Sequence, residues 1–172
     1  VQQSVTRTHE VGGPRNGALI STRDVTNSYD DWGTLLSQTA ITTEGATGLF
    51  NGTTYTEIIT ASDVWNDTIG WCLNKPRRVQ HTRRHSLAWG TEVTRTLSYN
   101  WDMTNCRPTQ QIVEPDSTRW SVTTDVGYDA VGNVDEVTVT PAANQNQTAR
   151  TTAIYWGTDG RFPRTLTNAK SQ

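Results

Sequence analysis

The chain has 172 residues, 33% hydrophobic and 19% charged, with a formal net charge of −2, so most of the remainder is polar and uncharged, and there is room for one domain or a few units of an array. Thirty-one Thr against eight Leu and two Lys disfavour a helical bundle, because a β-branched side chain fits a pleated strand better than a helix interior. Fourteen aromatic residues with so small a net charge disfavour disorder. No run of about 18 apolar residues offers a helix across a membrane, so no membrane insertion is expected.

Val1-Gln2-Gln3 opens the sequence with neither an initiator Met nor a basic and apolar leader, which reads as a start removed by processing or excision. Residues 1–20 are expected to be a lead-in strand or linker. From residue 21 the periodicity is two. Tyr55 to Thr60 is a weak strand candidate. In Thr94 to Trp101 the residues Leu97, Tyr99 and Trp101 share one parity, with Thr96, Ser98 and Asn100 opposite. Trp120, Val122, Val126 and Tyr128 share another, with Thr124 between them, and predict a strand over 120–128 with one packed face. Val134 to Thr140, Arg150 to Trp156 and Arg164 to Asn168 are further candidates. Clusters of Gly, Asn, Asp and Pro separate these runs, at Gly12-Gly13-Pro14, Asn51-Gly52, Gly132-Asn133, Pro141 to Asn146 and Asp159-Gly160. They predict tight hairpins and an antiparallel all-β architecture.

A repeat overlies this pattern. Tyr29-Asp30-Asp31-Trp32-Gly33-Thr34-Leu35 and Tyr128-Asp129-Ala130-Val131-Gly132-Asn133-Val134 both read Tyr-Asp-x-x-Gly-x-apolar. Degenerate copies run from Tyr99-Asn100-Trp101-Asp102 into Pro108 to Ile112, and from Tyr155-Trp156-Gly157-Thr158-Asp159-Gly160 into Pro163 to Thr167. A fifth unit without the Tyr runs from Asn66-Asp67 to Trp71 and into Pro76 to Gln80. Mechanically, a strand ends on an inward Tyr, Asp starts the turn, Gly supplies a positive φ, and a second strand restarts. One hairpin is marginal in water, so the units must pack side by side.

This pattern resembles the YD repeats of the Rhs (rearrangement hotspot) family, of bacterial type, which also occur in insecticidal toxin-complex proteins, wall-associated proteins and teneurins. Asp159 to Ala169 and Cys106 to Pro115 resemble the repeat spacers, and the resemblance covers roughly residues 20–172. It implies a curved sheet or strip of antiparallel hairpins, residues 21–172 as one continuous unit, forming part of a shell that encloses or scaffolds another polypeptide. The implied setting is a bacterial secreted or cell-surface protein, including toxin delivery. The implied partners are neighbouring repeats or a second copy through the sheet edges. Nothing resembles the self-cleaving Rhs core, so no proteolytic role is carried over.

The chemistry-bearing residues give weaker signals. Three His (His9, His81, His85) and no Gly-x-Ser-x-Gly elbow argue against a catalytic triad. Cys72, His81, His85 and Cys106 lack the close Cys pair of structural zinc, so neither metal nor cofactor is expected. A Cys72–Cys106 bridge would close a loop between units, but the pairing is not readable from sequence. Residues 1–74 hold three Arg against eight acids, and Lys75, Arg77, Arg78, Arg83 and Arg84 follow with no acid before residue 86. Because the pI is near 5.9, this run reads as a wet outer face or as partners for the acidic segment, and no nucleic acid is expected. Adjacent acids such as Asp30-Asp31 and Asp135-Glu136 point to opposite faces of a strand and do not make a glycosidase pair. The Trp residues (32, 65, 71, 89, 101, 120 and 156) favour core packing. Exposed, they would support an alternative reading, a carbohydrate- or cell-surface-binding module with a glycan partner. Asn51, Asn66 and Asn146 sit in Asn-x-Thr sequons, as so much Thr yields by chance.

Overall fold

Thr, Ser, Asn and Gln line up opposite one another across the strands, and this cross-strand pairing carries much of the fold. The computed structural model describes residues 1–46, 50–87 and 90–170. They form β1 (Gln2–His9), β2 (Leu19–Tyr29), β3 (Leu35–Glu44), β4 (Thr54–Asp67), β5 (Cys72–His85), β6 (Val93–Asp102), β7 (Arg107–Val113), β8 (Val122–Tyr128), β9 (Val134–Pro141), β10 (Arg150–Tyr155) and β11 (Thr165–Thr167). Among the described residues the one other element is a 3₁₀ turn at Ala143–Gln145. The strands follow one another in chain order through an antiparallel sheet that is not closed, so β1 and β11 each have a single neighbour. The expected all-β, antiparallel hairpin architecture is the one observed. The chain divides into two compact units, residues 1–64 with 79–95 and residues 65–78 with 96–172.

In the first unit the buried side chains are small: Thr34, Ala40 at 2% exposure, and Thr56. Ser28 and Ser37 share a hydroxyl bond of 2.7 Å, and Gln38 Nε2 donates to Asn27 Oδ1 at 3.0 Å, each pair directly opposed across β2 and β3.

In the second unit Cys72, Thr96 and Ala142 are buried. One row of opposed residues, Asn100–Gln110–Asp125–Thr138–Thr151, crosses β6 to β10. Asn100 Nδ2 donates to Gln110 Oε1 (2.8 Å), Gln110 Nε2 to Asp125 Oδ1 (2.6 Å), and the hydroxyls of Thr138 and Thr151 meet at 2.8 Å. The other face of these strands carries the apolar row Leu97–Val113–Val122–Pro141. Period-2 alternation therefore divides a polar from an apolar face, as strand geometry requires.

Three expectations need correction. Trp120 is not in a strand: Ser117 Oγ accepts the backbone N–H of Arg119 and Trp120 (3.3 and 3.0 Å), closing a turn that delays β8 to Val122. Leu97, Tyr99 and Trp101 keep their common parity along β6, since the extra residue at the register shift beside Trp101 is Thr109 of β7, but Thr96 on the expected wet face is buried. The repeat Tyr is not uniformly inward, since Tyr29 is 44% and Tyr155 58% exposed.

Candidate functional site: a rim of aspartate-headed turns

The Tyr-Asp-x-x-Gly segments build one turn twice. Asp30 Oδ1 accepts the N–H of Trp32 (2.9 Å) and of Thr34 (2.8 Å), while Oδ2 accepts the Thr34 hydroxyl at 2.8 Å. Asp129 Oδ1 accepts the N–H of Val131 (3.0 Å) and of Asn133 (2.9 Å), while Oδ2 accepts Asn133 Nδ2 at 3.1 Å. The main chain agrees in both: the Asp N–H donates to the carbonyl four residues on, and the Gly N–H donates back to the Asp carbonyl. Gly33 (φ +78°) and Gly132 (φ +98°) hold the left-handed position the turn demands. A bulge adjoins each turn on the return strand, with Tyr29 opposite Leu35 and Tyr128 opposite Val134, leaving Leu36 and Asp135 as extra residues.

Asp67 and Asp102 head a longer variant. Asp67 Oδ1 accepts the N–H of Ile69 (2.9 Å) and Gly70 (3.0 Å); Asp102 Oδ1 accepts those of Thr104 (3.0 Å) and Asn105 (3.2 Å). Here the left-handed residue comes one place later and is Trp71 (φ +54°) or Cys106 (φ +56°). Cys72 and Cys106 are joined by a disulfide, Cα to Cα 5.3 Å, between these two turns. It spans 34 residues, a loop for which chain entropy gives about 3–4 kcal/mol. The bond also takes both thiols out of any metal site, and no group of three His, Cys, Asp or Glu among the described residues is placed to hold a metal ion.

The carboxyls respond to these partners. The Asn105 side-chain amide is the largest influence on Asp102; with the N–H of Asn105 and Thr104 and the Arg107 guanidinium, it outweighs partial burial and holds the group below the ordinary aspartate range. Partial burial pushes Asp129 up, and the bonds from Asn133, Val131 and Gly132 outweigh it, so this carboxyl also lies low.

In the second unit each hairpin is tied to the one before. Trp101 Nε1 donates to the Pro76 carbonyl (3.0 Å), the Tyr128 hydroxyl to that of Pro108 (2.6 Å), and Trp156 Nε1 to that of Val134 (2.8 Å). Three consecutive aromatics at the ends of outgoing strands thus engage the return strand of the preceding hairpin. Arg107 reinforces the middle tie, its Nε 3.4 Å from Asp102 and its guanidinium 4.2 Å from the Tyr128 ring centroid. Asn133 Nδ2 reaches on to the Gly160 carbonyl at 2.8 Å.

The structure therefore redistributes the repeat residues. Tyr29, Asp30, Gly33, Tyr128, Asp129, Gly132 and Asn133 sit in matching turns. In the third repeat the aromatic opposite Pro108 beyond the bulge, the place held by Tyr29 and Tyr128, is Trp101; Tyr99 lies two residues earlier, 6.2 Å from the Trp101 ring. In the last repeat Tyr155 pairs with Thr165 and the tie comes from Trp156. Asp159 accepts the Arg161 N–H at 3.4 Å and lies 4.0 Å from Arg164, and Gly160 serves as acceptor for Asn133. Trp101, Trp156, Asp67, Asp102 and Arg107 are thus the contributors missing from the sequence-based set, and an aromatic directly before Asp would have singled out Trp101.

The Trp residues do not form a core. Trp32, Trp65, Trp71 (72%) and Trp120 are exposed, Trp101 and Trp156 half-buried, and Trp89 lies outside the described residues. Large rings in a sheet with so few buried positions have little to be buried against. The basic run divides: Lys75 Nζ stands 5.0 Å over Trp101, Arg77 6.0 Å over Trp65, and Arg78 pairs with Asp116, whereas Arg83 pairs with Glu57 at 3.1 Å. No protein-family model and no curated protein matches the chain.

Proposed function

We propose that this chain is a non-enzymatic wall segment of a YD-repeat shell of the Rhs type, whose hairpins enclose or scaffold another polypeptide in a secreted or cell-surface protein. The observation that carries this reading is the series of ties from Trp101, Tyr128 and Trp156 to the preceding hairpin. Such ties make these three hairpins depend on a neighbour, which is how repeat arrays extend. The single-neighbour strands β1 and β11 offer edges on which further repeats or a second copy can pair. The disulfide supports an oxidising compartment. Sedimentation velocity across a concentration series tests the edge requirement: concentration-dependent assembly is expected, and a monomer at every concentration would contradict it.

A second reading has one observation in its favour. Exposed Trp120 adjoins Gln145, Gln147, Thr148 and Arg150 around a concavity of about 320 Å³, a combination of ring face and hydrogen-bonding groups suited to a sugar. Binding on a glycan array that is lost in Trp120→Ala would favour a carbohydrate-binding module over the wall.

A further inference from the structure

In the second unit the β7–β8 and β9–β10 connections are tied together, Gln145 Nε2 donating to the Arg119 carbonyl at 2.6 Å. Beside this tie lies the concavity of about 320 Å³ that favours the carbohydrate reading. Its floor is strand. Val122 opposes Pro141 across β8 and β9, and Val139, two residues before Pro141, opposes Arg150 at the start of β10. Directly opposed residues share a face of a sheet, as do residues two apart on one strand. Arg150 therefore stands on the same face as the apolar pair Val122–Pro141, a charge where the alternation calls for a hydrophobe.

A second guanidinium, that of Arg119, stands 4.7 Å from the centroid of the Trp120 ring. Trp120 lines the hollow and Arg119 does not, so Arg119 covers the ring from outside it. Neither Arg119 nor Arg150 has a carboxylate partner among the described residues, and no acid among them lines the hollow. Asp116, in the same connection as Trp120, is engaged by Arg78. Elsewhere in this unit Arg107 stands beside Asp102 and Arg164 beside Asp159. Two cations without acids, next to one exposed indole, set this corner apart.

We propose that this hollow binds an acidic saccharide, its ring against Trp120 and its carboxylate or sulfate on Arg150, with Arg119 adding to the positive field. The proposal rests on the carbohydrate reading and narrows it. The indole suits the apolar side of a sugar ring, and a guanidinium fork matches the oxygens of a carboxylate or sulfate in pairs. Gln147 and Thr148, whose side chains have no hydrogen-bond partner among the described residues, are left for ring hydroxyls. A neutral sugar would give no account of a guanidinium set on an apolar floor. A nucleic-acid strand needs cations that follow successive phosphates, whereas these two flank a single ring.

The experiment follows the Trp120 indole N–H by NMR at fixed pH and ionic strength. The unaltered protein is titrated with glucuronate, glucose 6-sulfate, glucose and adenosine 5′-monophosphate. The Trp120 signal is expected to shift saturably, with a half-saturation for at least one acidic sugar about tenfold below that for glucose. The tighter of the two acidic sugars then identifies the anionic group. Arg150→Gln is expected to abolish the preference and leave glucose binding as it was. Arg119→Gln, which keeps the carbonyl that holds Gln145, should lower the preference about threefold. Arg161→Gln, an equal charge change in the turn beyond the far end of β10, should leave it intact. Equal half-saturation for glucose and both acidic sugars, or a loss with Arg161→Gln as large as with Arg150→Gln, would overturn the acidic preference and leave the carbohydrate reading standing. A Trp120 signal unmoved by all three sugars would overturn both. Tighter binding of the nucleotide than of any sugar would overturn the saccharide.

Discussion

The turns at Asp30 and at Asp129 are the same object in two settings. Both use one carboxylate to collect two backbone N–H groups, both place Gly fourth, and both adjoin a bulge opposite a Tyr. They differ in the fifth residue. Thr34 returns its hydroxyl to Asp30 and is buried. Asn133 has two donor hydrogens on one nitrogen, giving one to Asp129 and one to Gly160 of the next hairpin. A Cβ on Gly33 would meet open space, whereas one on Gly132 would stand 3.1 Å from Arg107 Nη1. Asp-x-x-Gly thus specifies the turn, and the residue after it, Asn133, couples the second turn to the next hairpin.

The largest effect should come from the link that only the second unit has. Cys72→Ala with Cys106→Ala is expected to cost about 3–4 kcal/mol of that unit's stability, by urea denaturation, while amide exchange at Gly33 and Thr34 stays as it was. Next come the glycines. Gly33→Ala and Gly132→Ala each force a side chain into the left-handed region at about 1–2 kcal/mol, and Gly132→Ala should be the costlier because Arg107 must also move. Equal losses in thermal unfolding would show that the Arg107 contact carries no weight.

A smaller effect should follow from replacing the fifth residue of the second turn. Asn133→Thr keeps a donor for Asp129 but loses the bond to Gly160, at about 1 kcal/mol. The smallest should be seen in acid. Asp102 and Asp129 lie below the ordinary aspartate value of about 3.9, so the unfolded chain takes up protons first. Their contribution is complete above that value and is lost as pH falls through the lower folded values. Asp129→Asn should therefore flatten the fall in the second unit's stability below about pH 4.

The all-β class, the hairpin plan and most strand centres were legible in Thr content and period-2 alternation, because those features act through local backbone preference. The Asp-x-x-Gly turns were legible too, since every group that closes them lies within five residues. The bulges were not: one extra residue at Leu36, Thr109 or Asp135 leaves no mark in composition. The ties from Trp101 and Trp156 to Pro76 and Val134 depend on which carbonyl a ring reaches across strands, and sequence spacing carries no such information. The Trp residues misled for a related reason. Their size suggests a core, but the side chains buried among the described residues are those of Ala, Cys and Thr.

Hydrogen exchange of the indole N–H groups, followed by NMR in the unaltered protein, tests the coupling of neighbouring hairpins most directly. The signals of Trp101 and Trp156 are expected to exchange far more slowly than those of Trp32, Trp65, Trp71 and Trp120. A common fast rate for all six would contradict the claim that each hairpin is held by the one before it.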